Sequence, residues 1–103
     1  MAYPPPPSNI GKQGRAKTPD QKTHPHKIKD EIHIHQTRSR NKLIYLQLIE
    51  LANGREELRL GYYMIGKKGA MRGRWVWGQY ATFLPARDFK RIINMAKRKG
   101  WLR

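Results

Sequence analysis

Residues 43–65 read LIYLQLIELANGREELRLGYYMI, two apolar runs on either side of an Asn-Gly pair, and the fold turns on how they are joined. In residues 43–51 the apolar side chains are nearly continuous, which suits a buried strand and a buried helix alike, and the leucine content favours helix. Asn53-Gly54 and the second run, residues 58–65, argue for a hairpin, because Asn-Gly supplies the positive φ angles of a tight turn. Gly54 would equally cap the C-terminus of a helix. We read a hairpin. Its second strand then carries Leu58, Leu60, Tyr62 and Met64 on one face and Arg59, Gly61, Tyr63 and Ile65 on the other.

Downstream, residues 66–74, GKKGAMRGR, combine three glycines with Lys67, Lys68, Arg72 and Arg74 and contain no acid, the composition of a mobile basic loop. Residues 75–83 alternate, with Trp75, Trp77, Gln79, Ala81 and Phe83 on one side and Val76, Gly78, Tyr80 and Thr82 on the other, which predicts a third strand. Pro85 suits a first helical turn and Asp88 its positive end, and Phe89, Ile92, Ile93 and Ala96 follow at helical spacing. Lys97, Arg98 and Lys99 complement the other end of the dipole, Gly100 fits a left-handed cap, and Trp101 can fold back on the last turn. The predicted helix runs over residues 85–99.

Upstream, KIKDEIHIH alternates Ile28, Ile32 and Ile34 with polar residues as a half-buried strand does. Arg38, Arg40 and Lys42 make a basic approach to the hairpin. Residues 1–27 hold Met1, Tyr3 and Ile10 as their large apolar side chains, a stiff run from Pro4 to Pro7, and Lys12, Arg15, Lys17, Lys22 and Lys27 against Asp20. This reads as a disordered basic tail, its cations lying along phosphates or left in solvent, and its prolines open to a proline-binding domain. The expected class is therefore α+β: a twisted antiparallel sheet, a hairpin plus a further strand, followed by one C-terminal amphipathic helix, with residues 28–103 as the single domain.

The 103 residues carry 22 Lys and Arg against 7 Asp and Glu, a formal net charge of +15, so an anionic partner is expected. Nucleic acid is the first candidate, because neutralising phosphates releases condensed counterions. Anionic membrane is second, and no run of about 18 apolar residues supports a span. A proline-rich start in place of a secretion signal leads us to expect a cytoplasmic or nucleoid location. With no cysteine, disulfides, thiolate metal sites and cysteine nucleophiles are excluded.

Cations beside flat rings suit single-stranded nucleic acid: the loop tracks the backbone and the rings stack on bases without reading them. Lys67, Lys68, Arg72 and Arg74 are the candidate phosphate contacts, and Tyr62, Trp75, Trp77 and Tyr80 the candidate stacking platforms. The tryptophans also suit a core beneath the helix, and the loop a solvated turn. Arg87, Lys90, Arg91, Lys97, Arg98 and Lys99 face Asp88 alone on the helix, either a second contact surface or general positive excess. His33 and His35 would project from one strand face and could chelate a metal, but Asp30 and Glu31 are the only nearby carboxylates. The remaining acids are scattered, and GKKGAMRG lacks the G-K-[ST] ending of a phosphate-binding P-loop. No catalytic centre or cofactor is expected. The alternatives are a basic assembly protein that binds structured RNA or an acidic partner, and a metal-dependent nuclease using the histidines.

The order strand, Asn-Gly turn, strand ending in Tyr62-Tyr63, basic glycine loop, strand and LPARDFKRI resembles the positive cofactor four type of transcriptional coactivator over residues 43–99. The resemblance implies a sheet followed by one helix, a homodimer formed through it, and binding of single-stranded DNA. It also implies that Lys67, Lys68, Arg72 and Arg74 are the family's basic loop and Phe89 the buried aromatic of its helix. Arg59 is the arginine nearest the aromatic pair, one residue out of the family's register, and joins the candidates on that footing.

Overall fold

The computed structural model describes residues 3–17, 23–78 and 81–102. Five antiparallel strands, β1 (Gln13–Lys17), β2 (Thr23–His35), β3 (Lys42–Leu51), β4 (Glu56–Ile65) and β5 (Trp75–Trp77), form one sheet in chain order, followed by the helix α1 (Ala86–Arg98). The protein is thus α+β, as expected. Residues 43–51 resolve to strand: β3 and β4 pair from Lys42↔Met64 to Glu50↔Glu56. The turn between them differs in detail from a two-residue Asn-Gly hairpin. The Leu51 N–H donates to the Arg55 carbonyl and the Gly54 N–H to the Leu51 carbonyl, so three residues are looped out. Gly54 alone takes a positive φ, +84°. Asn53 contributes through its side-chain oxygen, which accepts from the Arg55 N–H at 3.0 Å.

The sheet has two unlike faces. On one, Ile32 and Ile34 of β2, Ile44 and Leu46 of β3 and Tyr62 of β4 pack with Ile92 and Ala96 of α1, and Met64, Leu84, Ile93, Met95, Trp101 and Leu102 border that core. The other face carries His33, Tyr45, Tyr63 and Trp77 in mutual ring contact. A bulge in β2 divides the strand between them: Ile28 opposes Ile49, but Asp30 opposes Leu48, so Lys29 is the extra residue. Residues before it therefore alternate in the opposite phase, and Ile28 joins the aromatic face while Ile32 faces the helix.

Helix α1 ends as expected. The Gly100 N–H donates to the Lys97 carbonyl and the Trp101 N–H to the Ala96 carbonyl, which closes the last turn and folds Trp101 onto the core. Its buried stripe is Asp88, Ile92 and Ala96. Phe89 lies about 100° round the helix from Asp88 and is 46% exposed, so the buried aromatic that the resemblance implied is not found there. Buried Asp88 instead pins the β2–β3 turn to the helix, accepting from the Thr37 N–H at 2.7 Å and from the Thr37 hydroxyl, with Arg91 Nη1 3.4 Å away.

The third strand is shorter than residues 75–83. Its ladder ends when the Gly78 N–H donates to the Tyr62 carbonyl, residues 79–80 lie outside the described set, and Phe83 is 90% exposed. Lys42 crosses to hold the connection, its ammonium donating to the Phe83 carbonyl at 2.8 Å and lying over the Tyr62 ring. Glycine is required at Gly78 and Gly61 by close approach. A Cβ on Gly78 would lie 1.9 Å from the Tyr62 ring, and one on Gly61 2.2 Å from the Trp77 ring. Because the Tyr62 ring is locked in the core while Trp77 is half-exposed, the two alanine variants should differ. Gly78→Ala is expected to cost about 2–3 kcal/mol in urea unfolding, and Gly61→Ala about 1 kcal/mol with a clear change in tryptophan emission.

The region read as a disordered tail differs most. Residues 13–17 pair with residues 23–27 as β1 and the start of β2, from Gln13↔Lys27 to Lys17↔Thr23. Residues 3–9 lie on the aromatic face, and Asn9 is buried there. The physical reason is that this stretch, poor in apolar side chains, is held by hydrogen bonds to ring donors and to Glu31 rather than by a core of its own.

Candidate nucleic-acid interface

Two turns meet at one end of the sheet. The β2–β3 turn carries Arg38 and Arg40, and the β4–β5 loop carries Lys67, Lys68, Arg72 and Arg74. The Ile65 N–H donates to the Asn41 carbonyl at 3.1 Å and so ties the two together. All these cations are exposed, and among the described residues none of them forms an ion pair. Arg91 of α1 lines the same hollow as Arg38 and Arg40. Asp88, the acid bonded to the β2–β3 turn, is buried beneath Thr37 and Arg91. Burial alone would raise its pKa, but the hydrogen bonds from the Thr37 hydroxyl and N–H and the charge of Arg91 hold it below the usual carboxylate range. Asp30, Glu56 and Glu57 are instead tied up by Lys99, Lys29 and Arg55.

The loop is more structured than its glycines predict. It makes one turn of 3-10 helix, Gly69–Met71, and closes on itself as the Gly66 N–H donates to the Arg74 carbonyl and the Gly73 N–H to the Gly66 carbonyl. Arg38 adopts φ of 66°, a left-handed conformation uncommon for arginine, so its side chain is presented by a strained backbone.

The predicted rings separate. Tyr62 is buried in the helix-side core and presents no free face, so it is removed as a stacking platform; nothing in the two-residue alternation of β4 tells which face the helix will cover. Trp75 and Trp77 are half-exposed on the opposite face, not in a core beneath the helix. The Trp75 indole Nε1–H donates to the Pro4 carbonyl at 2.8 Å, and Tyr3 meets its ring edge-on at 5.9 Å. Trp77 is edge-on to Tyr45 and Tyr63. Tyr80 lies outside the described residues.

Arg59 stands on this same face. Its guanidinium is 5.4 Å from the centre of the Trp77 ring, and its Nε donates to Gln47 Oε1 at 2.9 Å. Gln47 in turn donates to Glu31, and Glu31 accepts from the Asn9 N–H at 2.7 Å. Half-burial pushes the Arg59 pKa down, and Tyr63 and Glu31 counter it. The residue is a bridge between the sheet and residues 3–9 rather than a free phosphate contact.

His33 stacks on Tyr45 at 4.9 Å, and burial depresses its pKa, opposed by Glu31. Among the described residues no three His, Cys, Asp or Glu side chains come together in a metal-ligating group. Among the described residues no helix is long and apolar enough to cross a membrane. Sequence reasoning missed Arg38 and Arg40 as members of the basic end, although their spacing upstream of the hairpin was visible, and missed Tyr3 and Pro4 altogether.

Compared with protein-family models, curated proteins and solved structures, the chain matches none.

Proposed function

We propose that the protein is a non-catalytic, largely sequence-tolerant nucleic-acid-binding protein that prefers single strands, DNA first and RNA second. The observation that carries this reading is the cluster of exposed cations at one end of the sheet, none of which forms an ion pair among the described residues: Lys67, Lys68, Arg72 and Arg74 with Arg38 and Arg40. Cations set so close repel one another, and neutralising phosphates relieves that repulsion while releasing counterions. Trp75, half-exposed beside the loop, is the ring within reach for stacking, and Trp77 lies further along the same face. Titrating labelled single-stranded DNA, duplex DNA and RNA of equal length at several salt concentrations tests the reading. Tightest binding to a single strand with a steep negative salt slope supports it; a flat slope, or weak binding to all three, defeats it.

A second copy of the chain completes the proposed assembly. Leu58 and Leu60 of β4 are 38% and 39% exposed and leave apolar surface on the helix side of the sheet. Leu60→Glu is expected to convert a dimer into a monomer in sedimentation velocity; an unaltered chain that sediments as a monomer removes the dimer from the proposal.

A further inference from the structure

The four prolines at positions 4–7 fix φ near −65° and donate no backbone N–H, so their run stays extended with its carbonyls free. A polyproline II helix has three residues per turn, which sets the Pro4 and Pro7 carbonyls on one side, about 9 Å apart. The sheet meets both of them with rigid ring donors. Trp75 Nε1–H donates to Pro4, and the Tyr45 hydroxyl donates to Pro7. Indole offers only a donor, and burial, with Glu31 and Tyr63 nearby, pushes the Tyr45 pKa far up, so its phenol also keeps its proton. Asn9 closes the end of the segment on Glu31 and on the Tyr63 hydroxyl, the latter at 3.1 Å. Tyr3, Pro4, Pro5 and Pro6 line a hollow with Trp75, His35 and Arg40. Aromatic ridges with ring N–H and O–H groups aimed at carbonyls one polyproline turn apart are the chemistry that recognises a proline-rich extended peptide.

We propose that the aromatic face of the sheet is a binding groove for a proline-rich extended segment, filled here by the chain's own residues 3–9 and open to such a segment from another protein once that run is lifted. The resident segment has the advantage of its tether, which raises its local concentration to the millimolar range. A competing peptide therefore binds well only when the resident run is weakened. The groove shares Trp75 with the cation cluster but needs no nucleic acid to operate.

The test uses the full 15N-labelled chain, unaltered and with Pro4, Pro5, Pro6 and Pro7 each replaced by glycine, and a peptide of the sequence YPPPPSN. In the unaltered chain the Trp75 indole N–H should exchange slowly with solvent. In the glycine variant it should exchange about tenfold faster, the worth of one hydrogen bond, and added peptide should shift the Trp75 and Trp77 indole signals saturably. Trp75→Phe in that background should weaken the peptide about tenfold. Rapid exchange of the Trp75 indole in the unaltered chain would overturn the proposal. So would the absence of a saturable shift in the variant up to about 1 mM peptide, or an equal response to a peptide with alanines for prolines. Retained helix and sheet signals in circular dichroism show that the variant has folded.

Discussion

Replacing Lys67, Lys68, Arg72 and Arg74 together by alanine should flatten the salt dependence of single-strand binding. Each neutralised phosphate on a single strand contributes about −0.7 to the slope of log affinity against log salt, so losing four contacts reduces it by about 3. At 0.1 M salt this corresponds to two to three orders of magnitude in affinity, roughly. The fold should be unaffected, because all four side chains are exposed and the backbone bonds that close the loop, such as Gly66 to Arg74, need no side chain. An unchanged slope would remove the loop from the mechanism. Replacing only Arg38 and Arg40 tests whether the adjoining turn belongs to the same surface, with an expected reduction of about half as much.

Asp88→Ala should be the most damaging single change to stability, at about 3 kcal/mol in urea unfolding. It removes the acceptor for both the Thr37 N–H and the Thr37 hydroxyl, and so detaches the β2–β3 turn from the start of α1. Hydrogen bonds to an ionised partner contribute about 1.5–3 kcal/mol each, and the Thr37 groups left behind are half-buried. Asp88→Asn keeps the shape without the charge and should fall between. The pH dependence follows from the direction of the shift. The folded-state pKa lies below the unfolded one, so the carboxylate's contribution is complete above the ordinary Asp value near 4 and is lost as pH falls through the lower, folded one. Acid unfolding below about pH 4 should therefore be less steep in Asp88→Asn than in the unaltered chain. Equal profiles would show that Asp88 does not set acid stability.

The hairpin, the helix and its cap were legible because each rests on local chemistry. Asn53-Gly54 marks a turn wherever it occurs between apolar runs, and Gly100 with Trp101 completes a helix end using atoms within one turn. The basic loop was legible as charge, although charge says nothing of the backbone bonds that give it shape. What escaped depends on contacts distant in sequence. The alternation of β4 places Tyr62 and Tyr63 on opposite faces, but which of them is buried is decided by where α1 lands and by the space above Gly78. Trp75 reaches the aromatic face through its register opposite Ile65, and its partner there, Pro4, lies 71 residues away. The segment around Pro4 looked unable to order itself because its composition is poor in apolar side chains, yet free carbonyls suffice where donors are already fixed in place. Phe89 shows the limit of helical spacing, since a periodic apolar residue at the margin of the stripe remains half in water.

The gathering of cations at one end of the sheet has a kinetic consequence. Glu56 and Glu57, just past the Asn53-Gly54 turn, are neutralised by Lys29 and Arg55, while Lys67, Lys68, Arg72 and Arg74 at the opposite end form no ion pair among the described residues, so that end presents its full charge to a polyanion. A protein whose positive patch lies off its centre turns that patch towards a polyanion before it arrives, and collisions therefore become productive more often than diffusion with random orientation allows. Encounter would quicken as ionic strength falls, even where the strength of the final complex is set by other contacts.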